Sequence, residues 1–149
     1  MAVSSYYINM VRFRRLLAVA VWCCLVLAQS RVSDADVERL MANLKEDAKK
    51  FRSSFDAAVA KSDARKTSKE KDGKALVSRF VKETDTMLNH FRDKKGGDAA
   101  LQAVLRSADQ VDVLVSEVSV GKSTEEAWRK VKAQISSLSE AFGLGRPPR

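Results

Sequence analysis

A chain of 149 residues, with 27 Lys and Arg against 19 Asp and Glu, has room for one domain built on one core. Its formal charge is +8, and two cysteines with a single histidine leave few ligands for a metal and few partners for a nucleophile. Both cysteines fall in an N-terminal segment unlike the rest, so the remainder has no disulfide to lean on.

That segment reads as an export signal. Arg12, Arg14 and Arg15 form a basic stretch with no acid before Asp34, and Leu16 to Ala28 follow as an apolar run of 13 residues. This length suits the apolar part of a signal peptide and falls short of the roughly 20 residues that span a bilayer. Small-residue cleavage sites come next, Val26-Leu27-Ala28 and Ala28-Gln29-Ser30. The expectation is a secretory signal peptide over 1–30, cut after Ala28 or after Ser30, with an uncleaved N-terminal anchor as the alternative. A lipid-bearing cysteine is not indicated, because Trp22 precedes Cys23 and Cys23 precedes Cys24 where a small residue is required. Arg14-Arg15 resembles a twin-arginine signal, but adjacent arginines are common in any basic leader. Removing the leader lowers the formal charge from +8 to +5, so part of the basicity belongs to the signal.

The remaining chain predicts four helices, at about 34–61, 68–95, 99–119 and 124–142, within a domain over 31–143 followed by a flexible tail, 144–149. Helix 1 has Ser33 as its cap, with Asp34 and Asp36 where the helix dipole favours negative charge. Val37, Leu40, Met41, Leu44, Ala48, Phe51, Phe55, Ala58 and Val59 then recur in steps of three and four, which places them on one face. Residues 61–74 carry no large apolar side chain; Thr67 with Glu70 has the spacing of a capping box. Helix 2 buries the stripe from Leu76 to Phe91 and is expected to stop at Gly96-Gly97. Helix 3 is expected to use Asp98 as its cap and to bury Leu101, Val104, Leu105, Ala108, Val111, Leu114, Val115 and Val118. Its last part, 111–120, is rich in valine and also alternates, so a strand is the competing reading; the helical spacing is preferred because it runs unbroken from Leu101. Helix 4 follows Gly121, with Ser123 and Glu126 spaced as a second capping box, and carries Ala127, Trp128, Val131, Ile135, Leu138, Ala141 and Phe142.

Both prolines, Pro147 and Pro148, lie at the C-terminus, and a chain free of internal proline suits long helices. Four amphipathic helices with short links bury their stripes most simply as an all-α, four-helix up-down bundle, preceded by a signal-peptide helix. A three-layer or open arrangement results if helix 4 packs across the others.

Residues that could carry chemistry are few. His90 is the only histidine, and Met87 stands where a Glu-x-x-His di-iron motif needs its glutamate. Gly121-Lys122-Ser123 imitates the end of a phosphate-binding loop, yet Ser116 occupies the place of the upstream glycine. Glu125-Glu126 sits at a helix start, where the dipole accounts for paired acids. The candidate binding surface is the basic stretch Lys61, Arg65, Lys66, Lys69, Lys71 and Lys74, which Asp63, Glu70 and Asp72 interrupt. Without aromatics it lacks the stacking platform that single-stranded nucleic acid needs.

The stretch Val32-Ser33-Asp34-x-Asp36-Val37-x-Arg39-Leu40-Met41, with Phe51, Phe55, Arg79-Phe80-Val81-Lys82, Trp128, Leu138 and Ala141-Phe142, resembles a group of small exported bacterial proteins that are all-helical and uncharacterised. The resemblance covers most of 32–143 and rests on caps and core positions. It implies a bacterial source, export and a helical bundle, and it transfers no activity.

The resulting expectation is an exported, non-catalytic bundle with no cofactor and no metal. It would bind an envelope protein, a cell-wall polymer or a lipid, with no nucleic-acid partner and membrane contact only through the signal. One alternative is a carrier holding a lipid or small apolar ligand in a cavity lined by Phe51, Phe55, Phe80 and Trp128. Another is a metal sensor or enzyme centred on His90.

Overall fold

The structure, a computed structural model, describes residues 32–144; the expected signal peptide and the tail beyond Leu144 lie outside these residues. Four helices account for most of them: α1 (Asp34–Val59), α2 (Ser68–Arg92), α3 (Asp98–Glu117) and α4 (Lys122–Ala141). No strand occurs among the described residues. The valine-rich stretch stays helical through Glu117 and becomes extended only at Val118, φ −109° and ψ 126°.

Local chemistry sets the ends. At the start of α1, Ser33 Oγ accepts from the Asp36 amide at 3.2 Å while its hydroxyl donates to Asp36 Oδ2 at 2.7 Å, so cap and first turn hold each other. Neither expected capping box forms. Thr67 turns its hydroxyl back to the Ala64 carbonyl, and Glu70 accepts instead from the Lys66 amide at 2.6 Å. Lys66 itself is left-handed, φ 62°, which turns the chain into α2. At α4 the cap is Gly121, φ 76°, whose carbonyl accepts from the Thr124 and Glu125 amides, and no side chain caps that end. Asp98 is the first residue of α3 and the cap is Gly97.

The stop of α2 also departs from expectation. Lys94 takes the left-handed position, φ 55°, and the Lys95 amide reaches the His90 carbonyl while the Lys94 amide reaches that of Phe91. This is the Schellman pattern, built two residues before Gly96 with a lysine where glycine is favoured. The end of α4 is the glycine version, with Gly143 at φ 66° and bonds from Gly143 to Glu140 and from Leu144 to Ser139.

The apolar stripes meet in one core that includes Met41, Leu44, Phe51, Phe55, Val77, Phe80, Met87, Leu101, Val104, Val111, Trp128, Val131 and Leu138, all buried. Full burial of a large apolar side chain contributes about 1.5–3 kcal/mol, and this core carries the fold without help from a disulfide. Direction follows from cross-helix contacts. Glu38 near the start of α1 pairs with Arg92 at the end of α2, Nε to Oε1 2.7 Å. Thr124 at the start of α4 donates to the Ser54 carbonyl late in α1 at 3.3 Å. Gly73, early in α2, sits against Leu114, late in α3. Gly97, at the head of α3, sits under the Phe142 ring beyond α4. Each of these pairs therefore runs antiparallel.

The four sides of the assembly are unequal. Broad faces join α1 to α4, α1 to α2 and α2 to α3, whereas α3 and α4 meet at only a few points. A closed ring of four similar interfaces is thus replaced by three broad interfaces and one thin seam. Two glycines permit the close approaches. A methyl on Gly73 would lie 3.2 Å from Phe55 Cζ, and one on Gly97 would lie 3.0 Å from Phe142 Cζ.

Candidate functional site

The basic stretch is spread over the α1–α2 loop and the first turns of α2. Lys61, Arg65, Lys66, Lys69 and Lys71 are exposed, and Lys74 is half-buried in an ion pair with Glu70. Bonds from Lys74 and from the Lys66 amide hold the Glu70 carboxyl below its usual range. The sequence concealed what lies beside this loop. A groove of about 490 Å³ sets Asp63, Thr67 and Lys69 against Glu117 and Ser119, and a second of about 380 Å³ sets Lys61 against Gly121 and Lys122. Acids are therefore interleaved with the bases here: Asp63, Glu70 and Asp72 within the stretch itself, and Glu117 across the first groove. The interleaved signs make a mixed surface and a weak steering field.

His90 lies exposed in the last turn of α2, where its backbone carbonyl serves the Schellman bond. Among the described residues, no group of three or more His, Cys, Asp and Glu side chains could hold a metal ion. No described helix is long and apolar enough to cross a membrane.

The aromatic residues that a carrier would use to line a cavity pack against one another. Phe51 and Trp128 have centroids 4.9 Å apart with planes tilted by 42°, and Phe80 meets the same indole edge-on at 5.6 Å. Phe55 stands 6.0 Å from Phe51. Phe51, Phe55 and Phe80 are at most 1% exposed, and Trp128 is 2% exposed.

Trp128 reaches further. Its Nε1–H donates to Asp112 Oδ1 at 2.7 Å, and Lys132 Nζ, one turn along α4, donates to the same oxygen at 2.8 Å. One indole from α4 therefore touches α1 through Phe51, α2 through Phe80 and α3 through Asp112. The carboxylate is 39% exposed in its side chain, and the Lys132 and Trp128 donors hold its pKa below the ordinary aspartate value against the opposing effect of burial. These are the only side-chain hydrogen bonds across the α3–α4 seam among the described residues. Around them the seam opens into a groove of about 720 Å³, lined by Asp112, Val115, Glu117 and Val118 on one side and Glu125, Trp128, Arg129 and Lys132 on the other. Exposed large apolar side chains are otherwise scattered, at Val32, Val113 and Leu144.

The sequence did not mark this site. Asp112 reads as a polar residue beside the α3 stripe, and nothing in its neighbours ties it to Trp128. The one available signal was the Trp128–Lys132 spacing of four, which puts an indole N–H and an ammonium on one helix face. No family model, curated protein or solved structure matches this chain.

Proposed function

We propose that this chain is an exported, non-catalytic helical-bundle protein of the bacterial periplasm or extracellular space, and that it works by binding a partner along the α3–α4 groove. Its topology would be an up-down bundle carried behind a cleaved signal, with retention on the leader as an uncleaved anchor the alternative. The observation that carries the binding reading is the seam itself. Three sides of the domain are joined by broad helix contacts, although a groove of about 640 Å³ also lies where the start of α1 meets the end of α2; the thin fourth side holds a groove of about 720 Å³, with an indole in its lining and charges of both signs at its rim. A concave surface with an apolar floor and a few placed polar groups is the usual form of a binding site. The partner would be an envelope protein, a cell-wall polymer or a lipid, with no cofactor required.

A photo-crosslinking residue at Ser116, in the groove, and another at Ser137, exposed on α4 outside it, provide the test in cells of the source type. A partner captured from Ser116 and absent from Ser137 supports the reading. Equal capture at both positions, or none at either, refutes it.

The second reading, a carrier for a lipid or small apolar ligand, draws support from the same seam, because Trp128 belongs both to the groove lining and to the aromatic centre. Against it stands the packing of Phe51, Phe80 and Trp128 ring on ring, so a ligand would enter only if α3 and α4 parted. A metal role for His90 draws no support from the described residues, among which no group of three or more His, Cys, Asp and Glu side chains could hold an ion.

A further inference from the structure

We infer that the bundle has a built-in line of opening between α3 and α4, and that the Asp112 carboxylate, bonded to Trp128 and Lys132, is the latch that holds it shut. The first ground is topological. In a ring of four helices, parting one edge leaves the other three to act as hinges, and here α1–α4, α1–α2 and α2–α3 are broad while α3–α4 is thin. Local opening follows the interface with the least buried contact.

The second ground is chemical. Asp112 Oδ1 accepts both side-chain bonds that cross the seam, at 2.7 and 2.8 Å, so a single oxygen gathers the polar closure. Charge-assisted bonds of this kind are stronger than neutral ones, and both are broken together when the carboxylate leaves. The third ground is what lies behind. The Trp128 indole shields Phe51 and Phe80, so withdrawing Asp112 uncovers the edge of a three-ring aromatic surface that the closed form keeps dry. The link between the two helices also suits such a movement. It is extended at Val118 and left-handed at Gly121, with no atom within 4 Å of a side chain built at that glycine. Val120 stays buried and anchors it.

The test uses the full chain carrying Trp22→Phe, which leaves Trp128 as the only indole. Two quantities are read under native conditions: the exchange rate of the Trp128 indole N–H, and the quenching of its fluorescence by acrylamide, which must reach the ring. Lys132→Met keeps the indole bond and removes only an ion pair of the exposed class, so both readings should rise by about two- to five-fold. Asp112→Ala removes the latch, and exchange should rise by about ten-fold or more, the equivalent of about 1.4 kcal/mol in the opening equilibrium. Helicity by far-ultraviolet dichroism should be unchanged in both. Faster exchange in Asp112→Ala with quenching unchanged in both variants would overturn the proposal, because the carboxylate would then merely cap an indole that never leaves. Quenching that rises only in step with lost helicity overturns it too, as unfolding. If Asp112→Ala does not fold, the Lys132→Met readings decide alone.

Discussion

Trp128→Ala is the substitution that probes the centre of this fold most directly. The indole is 2% exposed and lies against two rings, at 4.9 and 5.6 Å. Truncating a buried tryptophan to alanine costs about 3–5 kcal/mol through lost transfer energy and the cavity left behind. Stacked and edge-on ring pairs contribute about 0.5–1.5 kcal/mol each beyond their area, which places this site in the upper half of that range. Loss of the N–H adds little more, because Asp112 keeps Lys132 as a donor and can take water. About 4 kcal/mol is therefore expected, set against a total of about 5–15 kcal/mol for an ordinary domain. Urea unfolding followed by helicity measures it, with the m-value checked to exclude a change in cooperativity. Trp128→Phe separates the two contributions: it retains most of the ring contact, gives up the N–H, and should cost about 1–2 kcal/mol. A loss below about 1 kcal/mol for Trp128→Ala would refute the core assignment and make the indole a surface group.

Further outcomes follow from single residues. Gly73→Ala should destabilise by about 1 kcal/mol despite better helix propensity, since its methyl would press at 3.2 Å on a Phe55 ring that is 1% exposed and has nowhere to retreat; thermal unfolding reads this. Lys94→Gly should stabilise by about 0.5–1 kcal/mol in the same assay, because it relieves a left-handed lysine at φ 55°. Asp112 has a lowered pKa when folded, so its contribution is fully present above the unfolded value and is lost as pH falls through the folded one. The stability gap between wild type and Asp112→Asn should accordingly be constant near neutrality and shrink below about pH 4, as followed by urea midpoints across that range. His90→Ala and Lys69→Ala each remove an exposed side chain that makes no side-chain bond or ion pair among the described residues, and both should leave the midpoint within about 0.5 kcal/mol of wild type.

What the sequence disclosed follows from what periodicity measures. A stripe such as Val37, Met41, Leu44, Ala48, Phe51, Phe55 specifies which face of a helix turns inward, and each of these residues is buried. It carries no information on which neighbour that face meets, or how closely. Gly73 shows the difference: along the chain it is a weak point in a helix, and in space it is the gap that admits Phe55 and Leu114. The ends were read less well, because Ser, Thr and Asp can bond in more than one direction. Ser33 caps as expected, whereas Thr67 turns back to Ala64, and α4 begins on Gly121 without using Ser123. Lys94 was hidden by two glycines that follow it and offer the more obvious stop.

The basic stretch and the seam form a contrasting pair. The first is conspicuous in sequence because six bases crowd into fourteen residues, and folding dilutes it further by setting Glu117 across the groove from Lys69. The second is invisible in sequence because its members lie sixteen and twenty residues apart on different helices, and folding creates it. A run of like charge forms a site only if nothing opposite packs nearby, whereas a carboxylate shared by an indole and an ammonium exists only through packing. The same bonds that tie α3 to α4 also close the way to the aromatic centre. Stability and access are therefore opposed at Asp112, and a residue placed to strengthen this fold is also the one whose loss should open it.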